Sequence, residues 1–457
     1  MSFEQPVDSG QLTNSGQLDI EAWADSLTVP TAKILAVKGD LPLSQVGPGS
    51  LLVQGDTAAD AGSAEVPVYL RPNSRGRLRL PVDAGTNFIY GFGSVLQEPH
   101  GLRGPTRDRT TTAQVERTGS IFIPIYGGVR LGPHQALLAQ TSVGLAALDL
   151  DLSYFYAPPS LPGILSANLV SQRSQNPTYN TGVDGPEVGL PNGNRPWVHR
   201  LGGGVQYAYP VNDHIDLALA ANYQRVSARD GLFSSRVTPT DSQGNPLTVS
   251  PTGQDDLLTL HASLFLNSVT GRAYSLAGSR LRLGLEQAIP VGRASLGYTR
   301  LVANGAQFIP LSLVRQGDYI DTLVFNLQGG VTLGQVPPYE AFILGGINTV
   351  RGYALGEVAS GRHFLTATAE YRVPLATANL FDFELPIAGL LFVDYGTTFG
   401  SDATVVGTPG PVRGKPGYGL GYGLGVLSFT PFGIVRLEYG RNLEGGDQVH
   451  VTVGSRF

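Results

Sequence analysis

Cysteine is absent from the 457 residues, and lysine is nearly so, with Lys33, Lys38 and Lys415 the only three. The first absence removes disulfides, thiolate metal sites and thiol nucleophiles, and it suits a protein exported through an oxidising compartment. The second, combined with a formal net charge of −5 and a pI near 5.8, leaves no basic field to hold nucleic acid. No uninterrupted apolar run approaches the roughly 20 residues that a membrane-spanning helix requires. The seven histidines, His100, His134, His199, His214, His261, His363 and His450, show no metal-ligand spacing, and no G-x-S-x-G elbow occurs among the serines. Neither a metal, nor a cofactor, nor an enzymatic activity is therefore expected. The opening Met1-Ser-Phe-Glu-Gln-Pro has no basic and no apolar signal region, so for an exported protein the numbering is expected to begin after the signal, or at a misplaced start.

What the chain does have is glycine, 60 residues of it, beside 32 prolines. Their sum stays below the roughly 25 to 30% that marks low-complexity disorder, which places the glycines in strands and turns. Charged residues make up 15% and hydrophobic ones 42%, with a mean hydropathy of +0.01. A closed β-barrel reconciles these values with a membrane. Its strands need only about 9 to 11 residues to cross, and every second residue faces water rather than lipid.

Residues 1–85 read differently from the remainder. One short candidate helix surrounds Trp23, and two similar bursts, Ile34 to Asp40 and Leu51 to Asp56, each resemble a strand running into a Gly-Asp turn. Val66 to Leu70 and Leu78 to Leu80 could pair beside them, giving a small β-rich extension. From about residue 86 the pattern has period two. Strands are expected near 86–97, 113–124, 134–143, 146–156, 163–172, 198–209, 214–227 and 256–267, then 279–290, 293–304, 321–333, 363–374, 387–396, 417–428, 431–440 and 447–457. Sixteen antiparallel strands would close around an aqueous lumen. Their faces sort consistently: Leu365, Ala367, Ala369, Tyr371 and Val373 oppose Thr366, Thr368, Glu370 and Arg372, and Val435, Leu437 and Tyr439 oppose Arg436 and Glu438. The run Gly417 to Gly425 looks like a phosphate-binding loop, but strict alternation continues into Val426-Leu427-Ser428 with no following helix, so it reads as a strand with glycine on its inner face.

Between the eleventh and twelfth expected strands lies a long glycine-rich loop containing Gly345, Gly346, Val350, Arg351, Gly352 and Tyr353. Glycine permits the positive φ angles that such a loop needs in order to fold inward. Together with Phe392, Asp394 and Gly396 on a later strand and the terminal Phe457, this loop resembles the superfamily of BamA, TamA, the two-partner-secretion transporters and the chloroplast Toc-type import pore. The segment Leu333 to Phe342, with Gly414 to Gly417, looks most like its cyanobacterial and chloroplast branch. The resemblance implies an all-β transmembrane barrel spanning 86–457, in the outer membrane of a Gram-negative-type cell such as a cyanobacterium, with the loop folding inward before the twelfth strand. It implies that Arg351 reaches Glu370 and Asp394 in the lumen. It also implies a seam between first and last strands, where Gly454 would weaken the pairing, and outer-membrane lipids and unfolded polypeptides as partners of a monomer. Family members normally carry periplasmic POTRA units, each with two amphipathic helices, and residues 1–85 do not match one. Two alternatives therefore stand beside an insertion or translocation factor: a passive pore for small solutes without POTRA units, and the barrel fragment of a longer assembly factor.

Overall fold

The computed structural model describes residues 134–453 apart from 145–146, 295, 381–382, 400–404 and 431–432, together with Arg456 and the segments 32–34, 37–38, 53–55, 64–66, 77–80, 88–92, 114–115 and 122–132. Among them, sixteen strands follow one another as β1 (Phe88–Phe92), β2 (Phe122–Gly132), β3 (Gln135–Gly144), β4 (Ala147–Tyr156), β5 (Ile164–Gln175), β6 (Trp197–Asn212), β7 (Ile215–Arg229) and β8 (Gln254–Asn267). The second half adds β9 (Ser275–Ile289), β10 (Tyr298–Gln316), β11 (Tyr319–Gly334), β12 (His363–Leu380), β13 (Phe383–Phe399), β14 (Tyr418–Thr430), β15 (Gly433–Asn442) and β16 (Asp447–Val453). Each strand pairs antiparallel with the next, from β1–β2 through β15–β16, so the sheet is a meander.

The meander curls into a barrel around the connection between β11 and β12. Residues 339–340 of that connection bond to β6, β8 and β10, while Arg351 bonds to β12, β13 and β15. One loop therefore touches both walls of the sheet. The outer face is apolar and exposed, with Leu169, Leu201, Leu219, Leu327, Leu391 and Leu424 among its residues. The inner face carries buried polar and charged groups, among them Gln206, Gln224, Glu286, Arg300, Glu370 and Glu438. This inverts the arrangement of a water-soluble sandwich and matches a barrel that faces lipid. No helix among the described residues is long and apolar enough to cross a membrane. The strands from β10 to β13 run 16 to 19 residues, longer than the roughly 9 to 11 that span the hydrocarbon, so they project beyond it.

Two strands differ from their expected positions. The second, expected at 113–124, runs Phe122–Gly132, because Gly127 and Gly128, which carry no side chain to show alternation, pair within the ladder opposite Ala139 and Leu138. The tenth, expected at 293–304, runs Tyr298–Gln316. A tight turn through Gly292 (φ 60°), bridged from Val291 to Ala294, delays its start. Upstream, Ala32–Ile34 pairs with Val53–Gly55, whose Val53 stands opposite Tyr90 of β1. Val37–Lys38, Arg77–Leu80 and Ala64–Val66 form a separate three-stranded sheet. The expected helix around Trp23 lies outside the described residues.

If Leu391, exposed at the centre of β13, faces the bilayer midplane, then Leu391→Arg is expected to destabilise the barrel by about 2 to 4 kcal/mol. Guanidinium unfolding in lipid vesicles measures it, and a change below about 0.5 kcal/mol would remove this face from the hydrocarbon.

Candidate functional site

The β11–β12 connection is built to fold back on itself. Phe342–Leu344 pairs antiparallel with Ala359–Gly361, forming a small hairpin at its base. Gly345 (φ 111°), Gly346 (φ 91°) and Gly352 (φ 92°) occupy the left-handed region that L side chains avoid, and they bracket the tip. Within the turn the Gly345 amide donates to Thr349 Oγ1 at 2.9 Å. Phe342, Leu344, Val350, Tyr353, Val358 and Ala359 of the loop pack with Phe364 of β12 into one buried cluster. An apolar contact therefore seats the loop before any charge is considered.

At the tip, Arg351 is fully buried and its guanidinium is surrounded by carboxylates. Nε donates to Asp394 Oδ2 at 2.6 Å and Nη2 to Asp394 Oδ1 at 2.9 Å, a side-on bidentate pair that the Arg351 backbone amide joins at 3.1 Å. Nη1 donates to Glu370 Oε2 at 2.8 Å and to Glu438 Oε1 at 2.5 Å. The Phe392 ring lies against the guanidinium, with 3.4 Å from Cζ to the ring centroid. Burial alone would lower the proton affinity of Arg351, but Asp394 and Glu438 outweigh it and hold the guanidinium above its ordinary value, so the charge is retained.

Three further arginines complete the cluster. Arg436 Nη2 donates to both Glu370 and Glu438 at 2.8 Å, Arg372 Nε donates to Glu370 Oε1 at 2.8 Å, and Arg456 Nη2 donates to Asp394 Oδ2 at 3.2 Å. Arg456 also reaches the Thr349 carbonyl at 3.1 Å, and Asn442 Nδ2 donates to the Gly352 carbonyl at 2.9 Å, so the tip backbone is held as well as its side chain. All of these side chains are buried, so solvent screens little. Removal of one partner from such a pair leaves an uncompensated charge and costs on the order of 3 to 5 kcal/mol.

Glycine on the inner face of β14 and β15 makes the room. A side chain at Gly421 would overlap the Arg351 carbonyl, and one at Gly440 would overlap the Gly352 backbone. Gly396 of β13 lies under Val350 in the same way. Tyr353 lies against Gly419 and bonds to Glu444. On the rim of the long connections, Arg413 donates to Tyr179 O at 3.1 Å and to Asp241 Oδ2 at 3.3 Å. Lys415 Nζ donates to Ser360 Oγ at 2.7 Å and to the Pro177 and Thr178 carbonyls at 3.0 Å. Four connections are thus knitted above the loop.

The structure brings Gly345, Gly346, Val350, Arg351, Gly352 and Tyr353 together with Glu370, Asp394, Phe392 and Gly396. Gly454 and Phe457 lie outside the described residues. Sequence reasoning put Arg436 and Glu438 on the inner face but did not join them to Arg351. Their period-two parity was visible, while the curvature that brings β15 to the loop tip was not.

Gly421→Val is expected to expel the loop tip, since the added methyls compete with backbone rather than with a movable side chain. Protease cleavage within 345–356 should rise at least about tenfold while the strands stay protected. Unchanged cleavage would show that the tip is seated elsewhere.

Residues 139–457 match the model of the Omp85 superfamily domain. Outer envelope protein 80, chloroplastic, from Arabidopsis thaliana is 32% identical over 272 residues, which cover 58% of this chain and 34% of that protein. Protein TOC75, chloroplastic, from Pisum sativum is 27% identical over 328 residues, covering 68% of this chain and 38% of that one. The chain thus spans little more than a third of the length of either relative. BamA from Haemophilus ducreyi lacking POTRA domains 1–3 superposes with a TM-score of 0.55 at 14% identity, over 81% of this chain and 70% of that one, which shows the shared barrel fold. With the family domain matching well over half of its residues, the chain belongs to the Omp85 superfamily.

Proposed function

We propose that this barrel inserts or translocates polypeptides at an outer membrane, working through a lateral seam between β1 and β16. The carrying observation is a break, among the described residues, in an otherwise continuous antiparallel ladder. Among the described residues β1 is five residues long, meets Val53 on its outer edge and forms no ladder with β16, whose other side meets Gln114–Val115 opposite Thr452 and Val451. Strand edges held by such short pairings, once released, present a row of N–H and C=O groups on which an incoming client strand pairs by β-augmentation. In this reading the clients are unfolded polypeptides, lipid covers the outer face, and a single copy suffices because its own loop fills the interior. The Arg351 cluster holds β12, β13 and β15 together beside the seam, so that the seam rather than this wall gives way.

The division of the chain follows the same reading. In it residues 86–457 make up the barrel and 1–85 a β-rich N-terminal extension. The cell is of Gram-negative type, and the cyanobacterial lineage agrees with the chloroplast relatives. A loop tied to both walls obstructs the lumen, which counts against a wide passive pore for solutes.

Reconstitution in liposomes tests the proposal. The purified protein is expected to speed the insertion of an unfolded outer-membrane protein, and Arg351→Ala is expected to abolish the gain. No acceleration, together with steady ion flux through the same vesicles, would overturn the proposal in favour of a pore.

A further inference from the structure

The segment Pro337-Pro338-Tyr339-Glu340, which precedes the loop tip by about ten residues, has no part in the Arg351 cluster. It forms a single 3-10 turn, Pro338–Glu340, entered through a proline at φ −62°, so its backbone is stiff before any tertiary contact. Its two polar side chains are buried and point away from Arg351 toward the opposite wall.

Glu340 is clamped between two arginines. Oε1 accepts from Arg200 Nη1 of β6 at 2.9 Å, and Oε2 accepts from Arg300 Nη1 of β10 at 3.3 Å. The Glu340 carbonyl accepts from Arg300 Nη2 at 2.5 Å, and the Tyr339 carbonyl accepts from Arg200 Nη2 at 3.1 Å. Each guanidinium therefore grips one backbone oxygen and one carboxylate oxygen. Glu286 of β9, bonded to Arg300 Nη1 at 3.4 Å, supplies the second carboxylate, so two arginines face two glutamates in a buried, charge-balanced set. Tyr339 adds a neutral contact, its hydroxyl donating to Asp255 Oδ2 of β8 at 2.6 Å. That carboxylate is itself fixed by the Val249 and Ser250 amides at 2.8 and 2.7 Å.

The two sets of anchors share no strand: β6, β8, β9 and β10 on one side, β12, β13 and β15 on the other. Between them the chain passes through Gly345 and Gly346, both at positive φ. Two separate clamps joined by a glycine pair make a fixed foot and a hinged tip.

We propose that Tyr339 and Glu340 are positioning residues that form a second anchor, independent of Arg351, so that the loop is a strut across the lumen whose tip can leave its carboxylates while its foot stays bound. This goes beyond the proposed insertion function and does not rest on it. Amide hydrogen exchange on the full chain in liposomes, read peptide by peptide, is the test. Glu340→Gln is expected to speed exchange over 336–344 by about tenfold or more and to leave 348–353 unchanged. Arg351→Ala is expected to do the reverse. Should Glu340→Gln fail to fold, Tyr339→Phe, which keeps the charge balance, is read in the same way and should loosen 336–344 to a smaller degree. A general loss of stability would speed exchange in every strand, so confinement to the foot separates positioning from bulk destabilisation. Loss of protection at both ends in Arg351→Ala would overturn the independence of the anchors. Unchanged exchange at 336–344 in Glu340→Gln, or in Tyr339→Phe where that variant stands in, would overturn the anchor itself.

Discussion

One buried guanidinium organises the wall of the barrel from β12 to β15. Arg351 carries a full positive charge into the lumen on a loop whose own backbone must also be satisfied there, and both would be costly if left unpaired. Asp394, Glu370 and Glu438 answer the charge, and Asn442 and Arg456 take the tip carbonyls. The three carboxylates would in turn repel one another without cations between them. Arg436 bridges Glu370 and Glu438, so the cluster is cross-linked rather than a set of separate pairs. Three strands, β12, β13 and β15, contribute to it together with Arg456, and the contacts of Arg436 and Glu438 require the sheet to curl far enough to bring β15 to the loop.

The glycine content follows from the same constraint. A lumen that held only water could carry any polar residue on its inner face, yet β14 carries Gly419, Gly421, Gly423 and Gly425 there. At Gly421 a side chain would strike loop backbone, and at Gly423 it would strike the Phe392 ring that supports Arg351. Glycine weakens a strand, and on β14 that cost is offset by the seat it gives the loop. On the outer face the demand is the opposite, and Tyr418, Tyr422 and Leu424 of the same strand stand exposed toward lipid. One strand thus reads glycine on one side and large apolar groups on the other, each for its own solvent.

Much of this was legible in the residues. Period-two alternation gave the number and order of the strands, because a strand between lipid and a polar interior must alternate. It failed where glycine leaves the alternation blank within a ladder, as at Gly127 and Gly128, and where a tight turn consumes residues that would fit a strand, as at Gly292. The loop, Arg351 and two of its carboxylates were readable through resemblance. Glu438 and the foot at Tyr339 and Glu340 were not, since contacts separated by 87 and 140 residues depend on barrel curvature that no local pattern encodes. Prolines 337 and 338 read only as a family likeness, whereas in space they stiffen the turn that delivers Glu340 to two arginines.

The Arg351 cluster is a dry electrostatic lock and not a set of solvated contacts in a wet lumen. The most direct measurement is a double-mutant cycle on unfolding in lipid vesicles, with Arg351→Met, Asp394→Asn and the pair combined. A desolvated lock should give a coupling energy above about 2 kcal/mol, because each single change strands a buried partner while the double change strands less. A coupling near zero, at most about 1 kcal/mol, would mean that water already screens the pair, and it would contradict the account.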